Sequence, residues 1–417
     1  MNNFPKKPAK KRFVYLDHAA TTYLDEKVKK AMDPYFSDIF ANPSGLYAQG
    51  REAKSALDSA RDKVAEVLGA QPDTIIFTGG GTESDNLAIF GAARKHANQG
   101  KHIITTKIEH HAVLRPCEEL EKLGFEITYL PVNKEGKISV ESVKKNLRKH
   151  TILISIMYGN NEIGTVMPIA EIGREILKWR KQQNTVYPYF HTDACQAAGA
   201  LDLNVEKLHV DLMTINGSKI YGPKGAGILY KRRGVLIEPL VYGGGQEKKL
   251  RSGTENVPGI IGFAKALELV QKNKKIENKR LLKLRNYFWE KIKTKITKVK
   301  LNGPELGDES VRLPNNLNIS VLDVEGEAML LYLDEYGIVC STGSACTSES
   351  LDPSHVLIAC GLPYEYAHGS LRFTLGKRNT KQDIDYVMKY LPAIVDRLRE
   401  LSPVHLGEKK HAKYISR

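Results

Sequence analysis

DLMTINGSKIYGPKGAGILY, residues 211–230, sets Lys219 in a polar, glycine-rich turn between two apolar runs. DLMTI ahead of it and GAGILY behind it read as short buried strands. Asn216, Gly217 and Ser218 precede the lysine; Gly222, Pro223, Gly225 and Gly227 follow it. A lysine held in such a turn, at the edge of a sheet, can direct its amine into a cleft. Desolvation there lowers the pKa of an amine and leaves it nucleophilic. The plainer alternative is a solvated lysine in a β-hairpin, and this stretch alone leaves both open.

Upstream, strand-like and helix-like runs alternate. Residues 74–97, TIIFTGGGTESDNLAIFGAARKHA, read as strand, glycine turn and helix. Thr82 with Asp85 is expected to form a capping box. Three glycines ahead of the helix let backbone N–H groups approach an anion, which the helix dipole favours. The full dinucleotide pattern and a Walker lysine are missing. HIITTK, FEITYL, TILISIMY and YPYFHTD read as further strands, with helical stretches near 139–149 and 168–183. This alternation predicts an α/β fold whose large unit is a mainly parallel sheet flanked by helices. Ligands in such sheets lie at the carboxyl ends of the strands. Gly81, Thr82, Glu109, His110, Asn160 to Glu162, Asp193, Gln196 and Lys219 all fall at such ends.

That set meets the demands of pyridoxal 5'-phosphate. Lys219 would form the imine, Asp193 would pair with the pyridinium nitrogen, and His110 would stack on the ring. The backbone of Gly81 and Thr82, with nearby hydroxyls, would hold the phosphate. Each residue also has a plainer role. Asp193 could cap a following helix, and Asn160 and Asn161 could be turn residues. His110 and His111 lack metal-ligand spacing, and no metal is expected.

At 417 residues the chain predicts more than one domain. The expected division is an N-terminal segment (1–22) packing with the small domain, a large cofactor-binding domain (23–265), a small α+β C-terminal domain (266–402) and a flexible tail (403–417). Hydrophobic residues make up 41% and charged residues 26%, the range of a globular enzyme. No apolar run reaches the roughly 18 residues of a membrane span. MNNFPKKPAKKR is basic with no apolar segment behind it, so it reads as a short disordered tail, not a secretory signal. The net charge of +14 is diffuse, and KNKKIENKRLLKLR (272–285) reads as an exposed helix face. Nucleic-acid binding is therefore not expected as the main function. Five cysteines without a CxxC pair predict reduced thiols and a cytoplasmic protein. Cys117, Cys195, Cys340 and Cys360 read as small buried hydrophobes. Cys346, among the small and hydroxylated residues of STGSACTSES, reads as an accessible nucleophile.

The chain resembles the cysteine desulfurases of the NifS/IscS type, fold-type I pyridoxal enzymes of the class V aminotransferase family. The resemblance runs from YLDHAATT to LRFTLGKRNT and is carried by TGGGTESDNLAI, EHHAVL, NNEIG, HTDACQAAG, SKIYGPKGAG, GGGQEKKLRSGT and STGSACTSESLDPSHVL. It implies that Lys219 carries the cofactor, His110 stacks on it and Asp193 pairs with its nitrogen. Gln196 and Asn161 would contact the ring hydroxyl side, and Gly81, Thr82 and Ser218 the phosphate, beside Asn216. Thr254 would reach the phosphate of a neighbouring subunit, making a homodimer. Arg372 and Asn161 would bind the substrate carboxylate. Cys346 would attack the sulfur of L-cysteine, release alanine and hold a persulfide for an acceptor. That acceptor would be an iron–sulfur scaffold, with cluster ligation through Cys346, or a tRNA thiolation enzyme. The family usually has histidine where this chain has Ser218, which puts phosphate geometry and cofactor affinity in question. Another class V enzyme (an aminotransferase or a selenocysteine lyase) is the alternative, and a sulfur-relay scaffold without chemistry a third.

Overall fold

The computed structural model describes residues 4–307, 310–342 and 353–401. Cys346 and the C-terminal tail lie outside the described residues.

Strand β1 (Val14–Tyr15) opens the fold. A seven-stranded sheet follows, built from β2 (Ile75–Thr78), β3 (His102–Thr106), β4 (Glu126–Leu130), β5 (Thr151–Ser155), β6 (Tyr189–Asp193), β7 (Leu212–Asn216) and β8 (Gly227–Lys231). Their order is β2-β8-β7-β6-β5-β3-β4. Only β8 runs against the others: it pairs antiparallel with β2 and β7, and the remaining pairs are parallel. β2, β3, β5 and β6 are buried along their whole length, as helices on both faces require. β7 and β8 do form a hairpin, so the plain reading of the lysine turn is right about its backbone. Lys219 is nevertheless half-buried rather than solvated.

A second sheet joins β9 (Val299–Leu301), β10 (Asn316–Val321) and β12 (Ser370–Thr374) in the order β12-β10-β9, all antiparallel. β1 pairs with the short β11 (Ile338–Val339) beside it. Val14 and Leu16 belong to the apolar core of this second sheet. The helix Val257–Lys295 spans both cores. Its first half puts Ile260, Phe263 and Leu267 into the core of the large sheet, and its second half puts Leu284, Phe288 and Ile292 into that of the small one. It runs unbroken through residues 265 and 266.

Three local expectations are corrected. The helix after β2 spans Gly81–His96 and starts from Gly80 with no side-chain cap. Asp85 is therefore no capping partner of Thr82. It lies one turn in, 1% exposed, and faces the sheet. The Glu83 carboxylate instead accepts from the N–H of Gly79, one residue ahead of the helix start, at 2.8 Å. The basic N-terminal stretch packs on the small unit: the Phe4 ring stacks on Tyr332 with centroids 4.1 Å apart, and Tyr336 donates to the Pro5 carbonyl at 2.6 Å. Residues 272–285 are not simply a solvated face, because Leu281, Leu284 and Arg285 are buried there. Arg285 is held by the carbonyl of Leu313 at 3.0 Å.

Candidate active site

The carboxyl ends of β2, β3, β5, β6 and β7 lie on one edge of the large sheet, because these strands all run in one direction. The Lys219 turn closes that edge as a short helical turn, Gly217–Lys219, after β7. Asn216 caps it, its side-chain oxygen accepting from Ser218 N at 3.2 Å. Gly217 is required by close approach: a Cβ there would stand 2.8 Å from the Pro223 carbonyl oxygen.

The segment Asp17–Thr22 lies across this edge. Lys219 Nζ donates to the carbonyl of Ala20. Gln196 donates to the carbonyl of Ala19 at 2.9 Å. Thr22 bonds the Ser218 carbonyl through its N–H at 2.8 Å and its hydroxyl at 2.9 Å. Asp193, at the end of β6, is 8% exposed and accepts from Cys195 N at 2.8 Å. His110 caps the helix His111–Lys122, its Nδ1 accepting from Ala112 N at 3.1 Å. Burial lowers the His110 pKa; the Asp193 carboxylate opposes the shift and the Lys219 ammonium adds to it. His110 thus lies within electrostatic reach of both Asp193 and Lys219.

Beside them a cavity of about 360 Å³ is lined by Thr21, Gly79 to Glu83, Asn216, Ser218, Lys224 and Gly225. The N-terminus of the helix Gly81–His96 opens into it. A Cβ on Gly81 would stand 3.0 Å from Cys195 Sγ, so the cradle depends on a bare backbone. The Thr21 hydroxyl is buried with no partner among the described residues. A phosphate would supply that partner, and the helix N-terminus favours its charge. The residues therefore fit pyridoxal phosphate: an amine, a buried carboxylate, a ring to stack and an anion cradle converge. Thr21 and Lys224 were not singled out in the sequence; the small, hydroxylated run HAATT and the second lysine of SKIYGPKG were their only signals.

Behind Asp193 lies a buried polar layer. His191 is fully buried between Ser155 Oγ, 2.8 Å from Nδ1, and Thr214 Oγ1, 3.1 Å from Nε2. Asp85 Oδ1 is 3.6 Å from Nε2. Burial, with the Asp193 charge adding, pushes the Asp85 carboxyl well up. Burial lowers His191 to about 4 from 6.5. Its protonation therefore opposes folding. That penalty is absent above about pH 6.5 and grows as pH falls toward about 4, to an order of 3 kcal/mol. Urea titrations across this range should show wild-type stability falling more steeply than that of His191→Gln, by nearly one proton. Equal slopes would mean that His191 charges without cost in the folded protein.

Arg372, on β12, comes from the small sheet. It is 3% exposed, donating through Nη2 to Asp17 at 2.8 Å and through Nη1 to the Asn161 carbonyl at 3.2 Å. Its Nε is buried with no partner among the described residues. Thr254 is exposed, ahead of the helix Val257–Lys295, and does not line the cradle of its own chain. Cys117, Cys195, Cys340 and Cys360 are buried, as expected. No described helix is long and apolar enough to cross a membrane.

The family model for class-V aminotransferases matches residues 14–387. The chain is 54% identical over 395 residues to cysteine desulfurase IscS of Dictyoglomus turgidum, covering 94% of this chain and 97% of that protein. It is 51% identical over 391 residues to IscS of Methanosarcina thermophila, covering 94% of each. Among solved structures, a NifS-like protein aligns with a TM-score of 0.85 and 36% identity over 93% of this chain and all of that one. SspA in complex with cysteine aligns with a TM-score of 0.74 and 36% identity, over 87% of this chain and 98% of that one. The chain belongs to the class-V aminotransferase family, among its pyridoxal-phosphate-dependent cysteine desulfurases of the NifS/IscS type.

Proposed function

We propose that the protein converts L-cysteine to L-alanine and passes the sulfur, as a persulfide on Cys346, to an acceptor. The observation that carries this reading is the meeting of Lys219, Asp193 and His110 at one sheet edge with a buried arginine, Arg372, whose Nε has no partner among the described residues. Lys219, Asp193 and His110 serve a pyridoxal site, and Arg372 serves an amino-acid carboxylate.

Pyridoxal phosphate, when bound, supplies the electron sink that makes loss of the substrate α-proton feasible. Asp193 would hold the ring nitrogen and His110 would cover the ring. Gly81, Thr82, Asn216 and Ser218 hold the phosphate, with Lys224 supplying charge at its rim. Asn161 and Gln196 would contact the ring hydroxyl. Arg372 and Asn161 fix the substrate carboxylate, and the Lys219 amine takes the α-proton. The Cys346 thiolate attacks the substrate sulfur. The carbon–sulfur bond breaks, its electron pair stays on the carbon skeleton, and protonation there yields alanine. The new sulfur–sulfur bond is the persulfide.

In a homodimer, Thr254 would complete the partner's phosphate site. The exposed Phe36, Phe40, Leu46, Tyr47 and Tyr242 supply apolar surface for such an interface. The sulfur acceptor would be an iron–sulfur scaffold, with a tRNA thiolation enzyme as the second route, and the reaction would run in the cytoplasm.

The test is holoenzyme with L-cysteine and a dithiol reductant, measuring alanine and sulfide. Equal amounts of both support the reading; alanine that requires an added amino donor and pyruvate, with no sulfide from cysteine, identifies a transaminase. Arg372→Lys should raise KM for L-cysteine roughly 10- to 100-fold, because a lysine cannot bind a carboxylate bidentately while holding Asp17 and the Asn161 carbonyl. An unchanged KM would place the carboxylate elsewhere.

A further inference from the structure

Two loops far apart in sequence are tied together where the chain leaves the cysteine segment. Residues 343–352, with Cys346, lie outside the described residues, and the chain is described again from Pro353. The next residue, Ser354, is 3% exposed and donates through its hydroxyl to Glu162 Oε2. The same hydroxyl accepts from Leu357 N at 3.2 Å, capping the helix His355–Ala359. His355 Nε2 is 3.0 Å from the Glu109 carbonyl oxygen, next to His110. Ser354 and His355 thus fasten to the immediate neighbours of Asn161 and His110.

Glu162 is itself held from three sides. Its N–H donates to Asn160 Oδ1 at 2.9 Å. Its carbonyl accepts from the side chains of Asn316 and Asn318 on β10, each at 3.0 Å. Asn161, directly before it, accepts from Arg372. Glu162 is 4% exposed, and a carboxyl so buried with one hydroxyl donor on its side chain among the described residues is an expensive group. Burial pushes it up to about 7, against the Ser354 hydroxyl and the Arg372 charge. A turn residue would not need this arrangement, whereas a strut between two loops would.

We propose that Glu162 is a positioning residue which, through Ser354, pins the downstream root of the Cys346 segment to the loop carrying Asn161, and so governs sulfur transfer rather than amino-acid binding. This rests on the reading of Cys346 as the nucleophile and of Asn161 with Arg372 as the carboxylate site.

The experiment uses holoenzyme of the wild type, Glu162→Ala, Glu162→Gln, Ser354→Ala and the double variant Glu162→Ala/Ser354→Ala. L-alanine binding, read from the cofactor's absorption, measures amino-acid affinity without a sulfur step. Alanine release from L-cysteine measures the complete reaction. Glu162→Ala, which leaves the helix cap in place, should lower kcat about tenfold, the scale of a misplaced reacting group, with L-alanine affinity and cofactor content within about twofold. Ser354→Ala should match it, the double variant should be no worse than either single one, and Glu162→Gln, which keeps an acceptor for the hydroxyl, should recover to within about threefold of wild type. Unchanged kcat in Glu162→Ala overturns the proposal. So does a parallel fall of kcat, L-alanine affinity and cofactor content, which a structural role would give; in that case Glu162→Gln, of nearly the same shape, must fail as well. A wild-type enzyme that releases no alanine overturns the functional reading and this proposal with it, whereas variants equal to an active wild type overturn this proposal alone.

Discussion

Lys219→Ala should lower alanine release from L-cysteine by about 10⁴-fold or more, because one amine serves as both covalent anchor and general base. The first role requires an amine that can reach the cofactor carbonyl, and the second requires the same amine, once displaced, to lie beside the α-carbon. No described neighbour can take over both. Lys224 also lines the cradle, but at its phosphate end and exposed. The decisive measurement is borohydride reduction of the holoenzyme followed by peptide mapping. The cofactor should be fixed on the peptide containing Lys219 in the wild type and on no peptide in the variant. Label on Lys224 would move the anchor and overturn the assignment.

Cys346→Ser should lower alanine release by about 10³-fold or more while leaving cofactor content and L-alanine binding unchanged. A serine hydroxyl is hardly ionised near neutral pH and is a poor nucleophile toward divalent sulfur. The other cysteines cannot substitute. Burial pushes the thiols of Cys117, Cys195 and Cys340 far up and that of Cys360 up to about 12, so their thiolates are scarce. Of the five cysteines in the chain, these four are buried in structural positions. A single turnover with L-cysteine, followed by alkylation and mass analysis, should place one extra sulfur on the Cys346 peptide of the wild type. A wild-type rate in Cys346→Ser would remove Cys346 from the reaction.

Much of this site could be read from local pattern. β2, β3, β5 and β6 are short apolar runs with turn residues at their ends, and parallel strands bring such ends to one edge. Gly81, His110, Asp193 and Lys219 therefore fell together once the strands were recognised. The capping-box expectation at Thr82 and Asp85 failed for the complementary reason. The pattern of hydroxyl and acid three residues apart is local, but Asp85 is buried against a strand more than one hundred residues away, its Oδ1 3.6 Å from His191 and within reach of the Asp193 charge. The basic stretch at the N-terminus differs from its expected disorder for the same reason: Phe4 and Pro5 are held by Tyr332 and Tyr336, which composition cannot reveal.

Neighbouring residues alone thus determined the α/β architecture and the glycine-rich lysine turn, because hydrophobic period and turn chemistry are local properties, and the motifs carried the family resemblance. Only the tertiary structure decided which strands run against the rest, that Asp17 and Asn161 share Arg372, and that Glu162 reaches Ser354. Each of those contacts joins residues from distant parts of the chain through burial and hydrogen-bond satisfaction, and each partner gains its meaning from the group it desolvates or pairs.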